Sequence, residues 1–127
     1  MAQLIAPATF TGPKGSATVK ALIDTGAEMS LISAEVAKKI GAKIIGEVSV
    51  HGAGRAVVKV AKVTGISMPK AMRCKTGPTL VWVFGAGDVF PGTGLKAILG
   101  YDFMQKSRMQ VAAFTATKAI RCMKGAR

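Results

Sequence analysis

The stretch Ala21-Leu22-Ile23-Asp24-Thr25-Gly26-Ala27-Glu28-Met29-Ser30-Leu31-Ile32-Ser33 decides how this chain is read. One apolar run enters an Asp-Thr-Gly turn and a second apolar run leaves it. That order puts the Asp24 carboxylate at the end of a buried strand, where losing water makes its charge costly. Gly26, lacking a Cβ, permits a tight left-handed turn. Asp-Thr-Gly is also a common solvated β-turn sequence. A solvated turn does not usually lie between Ala-Leu-Ile and Met-Ser-Leu-Ile, however, nor carry an alanine, Ala27, straight after its glycine.

Upstream, residues 16–23 place Ala17, Val19, Ala21 and Ile23 on one face, the period of a half-buried strand. Residues 3–10 read as an edge or interface strand, with a Gly/Pro turn at 11–15 between the two. Downstream, Ser33 is an N-cap for a helix over 34–40, with Glu35 in its first turn and Lys38 and Lys39 in its last. Gly41 ends it. Two β-type runs then flank Gly52-Ala53-Gly54 and read as a hairpin.

Residues 65–69 break the pattern, and Met68, Met72 and Met104 are read as core filler. The continuous run 79–84 predicts a strand buried on both faces, with Trp82 in the core. Residues 85–96, with four glycines, form a long loop, and long ordered loops often carry function. A short apolar strand at Ile98-Leu99, a helix over 101–106, and a terminal strand pair over 109–114 and 117–123 complete the reading. Asp102 is expected to cap or salt-bridge the short helix. With no repeat and no low-complexity tract, residues 1–127 read as a single mostly β domain with two short helices.

Half of the 127 residues are hydrophobic, so a folded core is expected rather than disorder. No apolar run approaches the ~20 residues of a membrane helix, and the N-terminus lacks a signal-peptide pattern, which points to the cytoplasm. The formal charge is +12, from 18 Lys+Arg against 6 Asp+Glu. Such a field favours acidic partners or nucleic acid. The basic residues are scattered and aromatics are only 6% of the chain, so no base-stacking platform is specifically indicated. One histidine and no CxxC give no metal site. Cys74 and Cys122 read first as small buried apolar residues, with a disulfide the alternative.

Asp24-Thr25-Gly26-Ala27, with Leu22-Ile23 before it and Met29 to Ser33 after it, resembles the active-site segment of the retropepsin-like aspartic proteases. Ala97-Ile98-Leu99-Gly100, leading into Tyr101-Asp102-Phe103-Met104, is similar to that family's late apolar-apolar-Gly segment. His51-Gly52-Ala53-Gly54 falls where its glycine-rich flap falls. Glu28, in place of aspartate, brings the chain closer to the cellular, DNA-damage-inducible branch than to the retroviral one.

The resemblance implies a closed, barrel-like β fold and a peptide-bond hydrolase that needs no cofactor and no covalent intermediate. Its chemistry requires two carboxylates sharing a proton, since like charges ~3 Å apart cannot both ionise. One activates a water; the other donates to the scissile carbonyl oxygen. This chain has one Asp-Thr-Gly, and neither Asp88 nor Asp102 has such surroundings. The second carboxylate must come from another copy of the chain, in a homodimer acting on polypeptide.

By the same resemblance, Asp24 is catalytic, and the Thr25 hydroxyl holds the partner's turn. Gly26 lets the substrate backbone pass close. Ala27 and Glu28 line the cleft. Gly52, Ala53 and Gly54 form the flap tip, flanked by His51. Ile98 and Leu99 pack beside the catalytic turn and build side-chain pockets. Two other readings compete: a retropepsin-fold dimerisation or peptide-binding module without activity, and a basic nucleic-acid-binding β-domain.

Overall fold

Alternating burial along the first two strands brings them together. In a computed structural model, which describes residues 4–24, 26–51, 55–111 and 120–122, β1 (Leu4–Gly12) pairs antiparallel with β2 (Gly15–Ile23) along their whole length. Leu4, Ala6, Ala8 and Phe10 point inward from β1, two residues apart, as the strand period requires. β3 (Leu31–Ile32) leads into α1 (Ala34–Ile40). Ser33 caps α1 by accepting the Val36 N–H at 3.2 Å, and Gly41 ends it at φ 69°, a left-handed conformation that suits glycine.

β4 (Lys43–His51) and β5 (Arg55–Val63) form the expected hairpin. Three short elements follow: β6 (Gly65–Ser67), a 3-10 turn at Lys70–Met72, and β7 (Lys75–Thr76). Then come β8 (Thr79–Val83), β9 (Ala97–Leu99), α2 (Tyr101–Ser107) and the pair β10 (Met109–Val111) and β11 (Ile120–Cys122). The first nine strands form one sheet in the order β4-β5-β8-β3-β9-β2-β1-β6-β7. The architecture is mostly β with two short helices, as the sequence indicates.

β9 lies between the two strands that bracket Asp24. It runs parallel to β2, with Leu22 beside Ile98 and Ile23 beside Leu99, and antiparallel to β3, with Leu31 beside Ile98. The chain therefore leaves β2, passes over the end of β9, and re-enters the sheet on its other side. The main core packs one sheet face against both helices through Phe10, Ile32, Ile40, Val63, Val81, Leu99 and Phe103. Full burial of each large side chain contributes about 2–3 kcal/mol. A smaller cluster of Leu22, Leu95 and Ile98, joined by Ile5, Ala27, Leu31 and Val89, forms separately.

Three readings change. β1 is not an edge: β2 flanks it on one side and β6 on the other. β8 is buried on one face only: Thr79, Val81 and Val83 face the core, while Leu80 is 39% exposed and Trp82 is half-buried. Trp82 is thus not a core residue. Its register, opposite Val60 and beside Leu31, sets it on the other side of the sheet. Of the terminal strand pair, Met109–Val111 and Ile120–Cys122 pair as expected, and residues 112–119 and 123 lie outside those described. Cys74 and Cys122, both buried, are joined as a disulfide rather than standing as separate apolar residues. Met68, Met72 and Met104 are buried as expected. Among the described residues no helix is long and apolar enough to cross a membrane.

Candidate active site

Backbone hydrogen bonds tie the described residues of the loop 24–30 to the junction of β9 and α2 and to β8. The Asp24 N–H donates to the Leu99 carbonyl at 3.0 Å, extending the parallel ladder by one rung. The Ala27 N–H returns to the Asp24 carbonyl at 3.2 Å, closing the turn. The first two amides of α2 then reach into the loop: Tyr101 N–H to the Ala27 carbonyl at 2.7 Å, and Asp102 N–H to the Glu28 carbonyl at 3.2 Å. At the far end the Trp82 N–H donates to the Ser30 carbonyl at 2.9 Å. Gly100 is needed here for space rather than for its φ of −94°. A Cβ at that position would stand 2.6 Å from the Ala27 carbonyl oxygen and 2.9 Å from the Met29 carbonyl.

Asp24 is half-buried. Its Oδ1 accepts the Gly26 N–H at 2.9 Å, and among the described residues its other carboxylate oxygen has no hydrogen bond. That leaves one oxygen fixed and one available to a ligand. At Gly26 a Cβ would come within 3.2 Å of the Asp24 Oδ1 that its own amide engages, so clearance there favours a glycine. Thr25 and the hairpin tip Gly52-Ala53-Gly54 lie outside the described residues. His51 ends β4, paired with Arg55 across the hairpin. Glu28 is exposed.

The two residues of the late apolar motif divide. Ile98 belongs with Leu22 in the smaller cluster, whereas Leu99 is fully buried in the main core. Ala27 and Leu31 join Ile98. Next along the sheet, on the face opposite the core, come Trp82 and Val60, both half-buried. Residues that the sequence reading left out of the site therefore extend an apolar surface away from Asp24: Leu31, Trp82 and Val89, over the buried Leu95. Strict alternation would have revealed Trp82, but Leu80 and Trp82 are as apolar as the core-facing Val81 and Val83, which hides the period. Two concavities, of about 440 and 350 Å³, occur elsewhere; Lys14, Lys38 and Lys59 line the first, Pro78 and Lys106 the second, and neither includes Asp24.

A polar clasp holds the loop 84–96 beside the smaller cluster. Asp88 Oδ2 accepts the Gly94 N–H at 2.9 Å, and its Oδ1 pairs with Lys96 Nζ at 3.0 Å. Glu35 Oε1 accepts the Gly87 N–H at 2.6 Å and lies 3.8 Å from Lys96 Nζ. The Gly94 amide, then the Lys96 ammonium, hold the Asp88 carboxyl below its usual value, and Asp88 raises Lys96 in turn. The signs follow from linkage. Stabilisation from Asp88 is complete above the ordinary carboxylate value and fades as pH falls through the lowered one. That from Lys96 is complete below the ordinary lysine value and fades as pH rises through the raised one. The clasp should therefore stay closed from mildly acid to mildly alkaline pH. In an NMR titration, the Gly94 amide shift should follow a midpoint below that of an ordinary aspartate. A midpoint at the ordinary value would show that the contact does not form in solution.

Asp102 neither caps α2 nor forms an ion pair among the described residues; its Oδ1 accepts the Ser30 hydroxyl at 2.9 Å. No three His, Cys, Asp or Glu side chains gather as a metal site among the described residues.

Comparison with known proteins bears on this loop. The sequence matches the family described as aspartyl protease over residues 6–103. No curated protein matches. The fold is similar to the retroviral protease-like domain of Ddi1 from Leishmania major, at 18% identity and a TM-score of 0.55, over 87% of this chain and 81% of that one. It is also similar to a retropepsin-like aspartic protease from Rickettsia conorii, at 15% identity and a TM-score of 0.59, over 88% of this chain and 78% of that one.

Proposed function

Because the chain belongs to the aspartyl protease family, we propose that it is an aspartic endopeptidase, active as a homodimer, that cleaves peptide bonds in extended polypeptides. The observation that carries this reading is the state of Asp24. Its backbone is fixed by the β9 ladder, one carboxylate oxygen is engaged by Gly26, and the other has no partner among the described residues. A single such carboxylate cannot act as both acid and base on one water. Two related by a two-fold axis can, because an isologous contact brings equivalent atoms face to face. In the pair, one member removes a proton from water while the other hydrogen-bonds the scissile carbonyl, and the gem-diol that forms collapses to two products.

The surface formed by Leu22, Ala27, Ile98, Leu31 and Trp82 would receive apolar side chains of a strand-like substrate, with backbone hydrogen bonds supplied along its length. Thr25 would brace the dimer axis and Gly52-Ala53-Gly54 would close over the peptide. Of the late motif, Ile98 rather than Leu99 would touch substrate, since Leu99 is turned into the core.

The test is incubation with a mixed peptide library over acid to neutral pH, repeated on serial dilution of the protein. Specific activity should be constant at high concentration and fall once dimers dissociate, since the monomer holds half of the dyad. Cleavage whose specific activity is unchanged down to concentrations where sedimentation shows only monomer would remove the two-chain mechanism. Peptide binding without cleavage would favour a binding module instead.

A further inference from the structure

We propose that Asp102 is a positioning residue, which sets the catalytic loop through the Ser30 hydroxyl; the inference rests on the protease reading only for its kinetic consequence. Ser30 is completely buried, and its side chain stands at the meeting of three segments. The Gly100 N–H, at the end of β9, donates to Ser30 Oγ at 3.0 Å. Ser30 Oγ in turn donates to Asp102 Oδ1 at 2.9 Å. The direction of this relay is forced. A backbone amide can only donate, so the hydroxyl receives at Gly100 and must direct its own hydrogen to the carboxylate.

This relay closes a ring around the loop. Asp24 and Ala27 hold one end through Leu99 and Tyr101, while Ser30 holds the other through Gly100 and Asp102. Apart from the Trp82 N–H on the Ser30 carbonyl, every one of these anchors lies within residues 99–102, so the loop and the start of α2 are tied together. Asp102 contributes twice, its backbone N–H to the Glu28 carbonyl and its carboxylate to Ser30. Without that carboxylate, the buried hydroxyl loses its acceptor and the loop loses the contact that fixes its exit. Asp102 touches neither substrate nor the reacting atoms in this account; it acts through Ser30.

The experiment compares wild type with Asp102→Ala, Asp102→Asn and Ser30→Ala by hydrogen exchange and by steady-state kinetics. In Asp102→Ala, exchange at the Ala27 and Tyr101 amides should rise about tenfold relative to Val81 in the core, the scale of one buried hydrogen bond. The kcat per folded dimer should fall about as much, with KM within about twofold. Asp102→Asn, whose carbonyl oxygen can still accept from Ser30, should restore both. Should Asp102→Ala not fold, Ser30→Ala, which removes only a hydroxyl, carries the same expectation. Equal acceleration at Val81 and at the loop, or no rescue by asparagine, overturns the proposal. If wild type cleaves nothing, the protease reading fails on that arm alone, and the exchange pattern still decides whether Asp102 positions the loop.

Discussion

Replacing Asp24 with asparagine should lower peptide cleavage by at least about 10³-fold, the scale of a lost acid–base pair, while leaving the fold intact. The substitution is nearly isosteric. The amide oxygen of asparagine can keep the hydrogen bond from the Gly26 N–H, now at 2.9 Å to Oδ1, so the turn retains its contact. What disappears is the atom without a partner among the described residues, the second carboxylate oxygen, replaced by an NH₂ that cannot take a proton from water. The dimer should be no weaker than wild type, because two carboxylates must take up a shared proton to meet at the axis and two amides need none. Mixing gives a sharper result. When equal amounts of wild type and variant exchange subunits, only about one dimer in four carries two aspartates. Activity should then fall to about half of what the wild-type subunits show alone, whereas independent monomers would lose nothing. Retention of activity within tenfold in the pure variant, or no loss on mixing, would remove Asp24 or the shared site from the mechanism.

The loop at Asp24 was legible because its constraints are local. An apolar strand, a carboxylate, a glycine and a second apolar strand are contiguous in the sequence, and the helix after them carries its own cap in Ser33 and its own stop in Gly41. The late motif was legible for a similar reason: Ile98 and Leu99 belong to a strand of only three residues, ended by a glycine that no larger residue can replace without pressing on Ala27 and Met29. At Gly26 the sequence does not separate a need for φ from a need for clearance, and the 3.2 Å approach to Asp24 Oδ1 that a Cβ would make adds the second.

Other features were hidden by distance along the chain. Ser30 and Asp102 are 72 residues apart, and nothing in either neighbourhood marks a buried hydrogen bond between them. Trp82 was assigned to the core because an unbroken apolar run conceals which residues face which side. Its neighbours Leu31 and Val60 come from two other strands, so only the register reveals a surface that continues from Ile98. The clasp on the loop 84–96 was illegible likewise, since Glu35 belongs to α1 and reaches Gly87 across 52 positions.

The Cys74–Cys122 bond should be the largest single contribution to stability outside the cores. It closes a loop spanning 48 positions, and loop-closure entropy for that length amounts to about 4 kcal/mol in the unfolded chain. The bond also fastens β11 to the segment between the 3-10 turn and β7, two regions that no sheet joins among the described residues, where β10 and β11 pair only with each other. Both cysteines are buried, at 1% and 4% exposure, so a reductant reaches the sulfurs only after that corner opens. The double substitution Cys74→Ala with Cys122→Ala should therefore lower the thermal midpoint by roughly 10–20 °C for a chain of this length. Reduction of the wild type should be slow in native buffer and fast in mild denaturant. A decrease of only ~2 °C, or reduction at the same rate with and without denaturant, would show that the bond neither restricts the unfolded chain nor lies behind a closed surface. Such bonds persist in oxidising surroundings and are rare where thiols are kept reduced, so the same measurement bears on where the protein works. A large loss of stability on reduction would weigh against the reducing cytoplasm that the sequence suggested.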